Sequence, residues 1–111
     1  MSVSGSCLCR QVRWTAEAVT SMSHCHCSMC RKHHGSLFAA YATTSPDGFR
    51  WTAGEDQIRT LLPTRPFCAT CGSSLPLVLT GQGMVFCPAG PIEGEPGVRP
   101  RLHIFAASRP A

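Results

Sequence analysis

Seven of the eight cysteines of this 111-residue chain stand in three tight groups. Cys7 and Cys9 lie in GSCLCR. Cys25, Cys27 and Cys30 lie in HCHCSMCRKHHG, and Cys68 and Cys71 in PFCATCGSS. Cys87, in MVFCPAG, stands apart. The start, MSVSGSCLCRQV, has no basic region followed by an apolar run, so no signal peptide is read and a cytoplasmic location is expected. In a reducing compartment such cysteines are not expected to pair as disulfides; grouped like this they are metal ligands or reactive thiols.

The length suits one domain, taken as 1–111, and a domain this small gains from a metal that staples it together. Hydrophobic residues make up 43% and charged residues 14%, a mix that excludes a disordered chain. The longest apolar stretches, such as 37–42, fall far short of the roughly 20 residues of a membrane span, so no membrane partner is expected. The formal charge of +4 is spread along the chain without a basic block, and Lys32 is the only lysine. A nucleic-acid groove would cluster its cations among stacking aromatics, so no nucleic-acid partner is expected.

Nine prolines and ten glycines point to many turns between short elements. Strands are read at 11–16, 20–25, 37–43, 49–52, 58–61, 76–80, 84–87 and 103–106, with turns at Gly35, 45–48 and 81–83. Residues 66–74 read as a knuckle and 88–101 as a Pro- and Gly-rich loop. No amphipathic helix longer than about three turns is read. The fold class is therefore mainly β, built from short antiparallel strands.

Cys68-x-x-Cys71 followed by Gly72 is a zinc-knuckle signal. Two intervening residues let both sulfurs face one ion, and the glycine tolerates positive φ in the tight turn. A thioredoxin-like redox pair would sit at the start of a helix after a strand; Pro66, Gly72, Ser73, Ser74 and Pro76 argue for a turn instead. One knuckle supplies two of four ligands, and Cys7 with Cys9 is the natural second pair. Four thiolates close the shell, so this is read as a structural zinc site.

Cys25, Cys27 and Cys30 offer three sulfurs within six residues and leave one corner of a tetrahedron to be filled. That corner is read as open, the mark of a reactive site, with His24, His26, His33, His34 and Cys87 as the alternatives that would close it. Three thiolates on a divalent ion leave a net charge of −1, so such a zinc acidifies water less than one held by neutral histidines. A fourth soft sulfur suits it better, and the expected chemistry is the holding of an incoming thiol as its thiolate for reaction with an electrophile. Two zinc ions per chain are expected.

Taken together, GSCLCR, CHCSMCRKHHGSLF and FCATCGSSL resemble the glutathione-dependent formaldehyde-activating enzyme family, related to centromere protein V, over roughly residues 4–106. The resemblance implies a β-tent fold of packed antiparallel sheets. It implies one zinc on Cys7, Cys9, Cys68 and Cys71 and a second on Cys25, Cys27 and Cys30. It also implies condensation of formaldehyde with glutathione to S-hydroxymethylglutathione, a carbon–sulfur lyase activity. Where the family usually carries Gly-Thr-Leu-Asp, this chain has Gly90-Pro91-Ile92-Glu93. Glutathione brings two carboxylates that need cations, and Arg31 and Lys32, directly after Cys30, are the candidates for binding them.

Overall fold

Prolines and glycines recur often enough to cut this chain into strands of a few residues each, and three small sheets result. The computed structural model describes residues 2–17, 19–60, 64–94, 98–104 and 106–108. Its elements in chain order are β1 (Val3–Ser6), β2 (Arg13–Ala16), β3 (Ser21–Cys25), α1 (Ser28–His34), β4 (Ala39–Thr44), β5 (Phe49–Ala53), β6 (Ile58–Thr60), β7 (Pro66–Cys68), β8 (Leu77–Leu79), β9 (Met84–Pro88), β10 (Ile92–Glu93) and β11 (Pro100–Ile104). One sheet runs β10-β1-β2-β5, a second β11-β3-β4-β9-β8, and a third pairs β6 with β7. All pairings are antiparallel except that of β11 with β3, which is parallel. Among the described residues, no helix is long and apolar enough to cross a membrane.

The core lies between the two larger sheets. Val3, Trp14 and Ala16 face it from one side, and Met22, Ala42, Val85 and Cys87 from the other. Each buried Val or Met contributes roughly 1.5–3 kcal/mol. Gly5 is required beside Trp14, because a Cβ there would run into the buried indole.

Alternation along the strands of the five-stranded sheet decides what the outer face carries. Successive side chains point to opposite faces, so Ala42, Val85, Cys87 and Val78 pack inward. Their neighbours Tyr41, Phe86, Leu77 and Leu79 stand on the other face. The register places Cys25 opposite both Ala39 on β4 and Ile104 on β11, on that same outer face.

The strands read from sequence at 20–25, 49–52, 76–80 and 84–87 lie within a residue or two of β3, β5, β8 and β9. β1 was not foreseen, since VSGS has little β signal of its own. β10 falls inside the stretch read as loop, and β11 begins at Pro100, earlier than the strand read at 103–106. Residue 61 of the strand read at 58–61, and residue 105 of the last one, lie outside the described residues.

Candidate metal centres and reactive site

The first cysteine group is assembled by β1, which leads into Cys7, and by the turn after β7. Gly72 takes φ 77° in that turn, as the knuckle requires, and its N–H donates to the Cys68 carbonyl at 2.8 Å. The N–H of Val12 points at Cys7 Sγ at 3.4 Å, and the N–H of Leu8 donates to Ser73 Oγ at 2.9 Å, tying the two segments together. Ser73 Oγ also lies 3.3 Å from Cys71 Sγ. Burial opposes ionisation of Cys71, but contacts with the Ser73 hydroxyl and with backbone N–H groups outweigh it and bring the thiol down to about 5. The sulfurs of Cys7, Cys9, Cys68 and Cys71 all lie within 4.8 Å of one another, set among buried Val12 and Leu75.

The second group forms where β3 runs into α1. Cys27 is the N-cap of α1: its sulfur accepts the Cys30 N–H at 3.3 Å. The helix ends at Gly35, φ 65°, so the run Arg31, Lys32, His33, His34 occupies its last turn, where cations suit the helix dipole. Cys25, Cys27 and Cys30 place their sulfurs within 4.8 Å of one another, and among the described residues no other Cys, His, Asp or Glu joins them.

Sulfurs about 2.3 Å from a zinc at tetrahedral corners stand about 3.8 Å apart. Cys7 and Cys9 Sγ are 3.5 Å apart, Cys9 and Cys68 Sγ 3.8 Å, and Cys25 and Cys27 Sγ 3.6 Å. Both groups therefore have the donor type and spacing of a metal centre, compatible with zinc.

A pocket of about 370 Å³ opens beside the second group. Cys25, Cys27 and Cys30 line it together with Tyr41, Phe86, Leu77 and Leu79 from the outer sheet face. Arg65, just ahead of β7, also lines it, and its Nη2 donates to Cys27 Sγ at 3.6 Å and to Cys30 Sγ at 3.5 Å. Nη1 of the same guanidinium donates to the Thr64 carbonyl and hydroxyl, both at 2.7 Å, which fixes its plane. Burial works against ionisation of Cys27, yet the Cys30 N–H, the neighbouring thiols and Arg65 hold it below its ordinary value.

Tyr41 Oη lies 3.5 Å from Cys30 Sγ and 3.0 Å from His34 Nε2. Burial, followed by the fields of His33 and Arg65, brings His34 down to about 4, so it is neutral at pH 7. Burial and then Cys30 push the Tyr41 hydroxyl up, so it stays protonated. With Cys30 as a thiolate, both contacts are satisfied when Tyr41 O–H donates to the sulfur and His34 Nε2–H donates to Tyr41 Oη.

Arg31 turns back so that its Nε donates to the His26 carbonyl at 3.2 Å, and Lys32 is exposed; neither lines the pocket. His24 stacks on Phe38, and His26 Nε2 lies 2.8 Å from His103 Nδ1. Cys87 lies on the core face of β9, fully buried, and burial pushes its thiol up to about 12. Arg65 and Tyr41 escaped sequence reasoning. Arg65 meets its sulfurs across 35 and 38 residues, and nothing near it in the chain marks that contact.

A model of the glutathione-dependent formaldehyde-activating enzymes matches residues 2–108. The chain belongs to that family. No curated protein matches it. Among solved structures, this glutathione-dependent formaldehyde-activating enzyme family member is similar to a crystal structure of a Rhodobacter sphaeroides protein. The two share 22% identity with a TM-score of 0.69, over 85% of this chain and 92% of that one. That likeness shows a shared fold.

Proposed function

We propose that this chain is a zinc-dependent enzyme that joins a small thiol to an aldehyde, a carbon–sulfur lyase activity for which the family suggests glutathione and formaldehyde. The observation that carries the reading is the convergence of three sulfurs, joined by no further ligand among the described residues, on the wall of a pocket. On this reading Cys7, Cys9, Cys68 and Cys71 hold one zinc in a closed shell. Cys25, Cys27 and Cys30 hold a second and leave a position facing the pocket. When bound there, zinc supplies a soft position that keeps a thiol deprotonated at neutral pH.

The protein's own residues supply the rest. Arg65 offsets the charge of the cysteine sulfurs, which a substrate thiolate would otherwise make more negative. Tyr41, held by His34, fixes Cys30. Phe86, Leu77 and Leu79 exclude water from the sulfur side of the pocket. In the addition, the substrate sulfur forms a bond to the carbonyl carbon and the C=O π pair moves onto oxygen. The thiol proton, passed through solvent, ends on that oxygen, and nothing is oxidised or reduced. Arg31 and Lys32 are retained as cations for anionic groups of the thiol that stay outside the pocket.

Exchange NMR with ¹³C-formaldehyde and glutathione tests the proposal. The zinc-loaded protein is expected to accelerate exchange between free aldehyde and its thiol adduct at least tenfold, an effect of the size that positioning and charge stabilisation supply. Cys30→Ser is expected to abolish the acceleration. No acceleration by protein shown to hold both metals would overturn it.

A further inference from the structure

The pocket beside the second cysteine group is far larger than formaldehyde and less polar than glutathione requires. At about 30 Å³ for each water, its volume of about 370 Å³ equals roughly a dozen waters. Formaldehyde has two non-hydrogen atoms. Away from the sulfurs, Met29, Tyr41, Leu77, Leu79, Phe86 and Ile104 make most of the wall, with Thr64, Arg65 and Gln82 as its other polar members. The former come from α1 and from β4, β8, β9 and β11, four strands of one sheet, so helix and sheet together line the space beside the sulfurs. Among the described residues lining the pocket, Arg65 is the one charged group besides the thiols. Its guanidinium is committed to Cys27, Cys30 and Thr64. A peptide with two carboxylates therefore finds no uncommitted cation there, whereas an alkyl or aryl group finds a mostly apolar wall.

We infer that the substrate of this chain is a thiol–aldehyde adduct with an apolar body, an alkyl or aryl group that fills this pocket while any anionic part stays outside. The inference rests on the second cysteine group being the reactive site, as proposed above, and goes further by naming the substrate class. The bond made is the same carbon–sulfur bond, and the proton again moves from thiol to carbonyl oxygen. The apolar body can be carried by either partner, the thiol or the aldehyde, since both meet at the sulfurs.

Two arms separate these sources. In the first, zinc-loaded protein is titrated calorimetrically with ethanethiol, 1-propanethiol and 1-butanethiol, beside glutathione. In the second, glutathione is held constant and turnover is followed with formaldehyde, propanal and pentanal. Each buried methylene is expected to raise affinity or kcat/KM about fourfold in the arm whose partner carries the apolar body. Leu79→Gln is expected to flatten that rise. A rise in the thiol arm alone assigns the body to the thiol, and a rise in the aldehyde arm alone assigns it to the aldehyde. Flat responses in both arms, with glutathione still bound and formaldehyde still turned over, would overturn the inference and leave the proposed function standing. Absence of both thiol binding and turnover would remove the two together.

Discussion

Three thiols within six residues concentrate negative charge when they ionise, and the chain offsets that charge from far away in sequence. Arg65 reaches two of the sulfurs through one nitrogen while Thr64 holds the other. Removing a group that orients and neutralises metal ligands typically weakens metal binding about 10- to 100-fold. Arg65→Ala is therefore expected to lower zinc affinity at the second site by that factor and leave the first site unchanged, as read by competition with a chromophoric chelator. Arg65→Lys should recover part of it, because the charge returns without the planar fork. His34 makes a pH prediction. Its folded value of about 4 lies below the ordinary 6.5, so between them the unfolded chain binds a proton that the folded chain refuses. That contribution to stability is complete above pH 6.5 and is lost as pH falls toward about 4. Melts of His34→Asn beside the parent chain, at equal zinc content, should show the parent losing more stability from pH 7 to pH 5. Equal losses would assign the acid sensitivity to other groups. Cys87 is expected from its sequence neighbours, Val85 and Phe86, to be a buried core thiol and not a ligand. Strand alternation puts its sulfur in the core. Cys87→Ala should cost about 1 kcal/mol or more through the cavity left behind, with no change in zinc content.

At the scale of elements, the two cysteine groups are built differently. The first joins the end of β1 to the turn after β7 across most of the chain, and Val12 and Leu75 pack around it. The second belongs to one β3–α1 junction. Cys68→Ser is expected to unfold much of the domain, because metal binding that crosslinks distant segments is itself folding free energy. It should also weaken the second site, since Arg65 directly precedes β7. Cys30→Ser should release one zinc and keep a cooperative melt. Melting curves read beside zinc content check both, and equal collapse of the two variants would contradict the division. Much of this was legible because the spacing of Cys68 and Cys71 with Gly72 dictates a turn, and because strands rich in apolar and β-branched residues, such as MVFC, announce themselves. Less legible were elements held by partners rather than by their own propensity. VSGS becomes β1 only because β2 and β10 flank it, and Ile92–Glu93 pairs only because β1 presents an edge. The seven residues of α1 carry too few apolar positions for a periodic signal; the Cys27 cap and Gly35 define it instead. The site was legible in its sulfurs, which are local in sequence. Its pocket was not, because β3, α1, β4, β8, β9, β11 and the segment ahead of β7 all contribute to it.

Among the described residues, each cysteine group sits within its own hydrophobic cluster, and a third cluster lies between the larger sheets. The five-stranded sheet divides the labour: its inner face makes the core, and its outer face carries the pocket. The segment from Arg65 to Cys71 serves both cysteine groups, with Arg65 at one and Cys68 and Cys71 at the other. The central claim is that one centre is closed by four sulfurs while the other, held by three, takes a fourth from a substrate. Zinc X-ray absorption on the fully loaded protein tests this most directly, because it counts sulfur neighbours averaged over both ions. The account predicts a mean of about 3.5 sulfurs per zinc in thiol-free protein, rising to about 4 when a saturating thiol is added. A mean of 4 before any thiol is added, or a mean that does not change on addition, would contradict it.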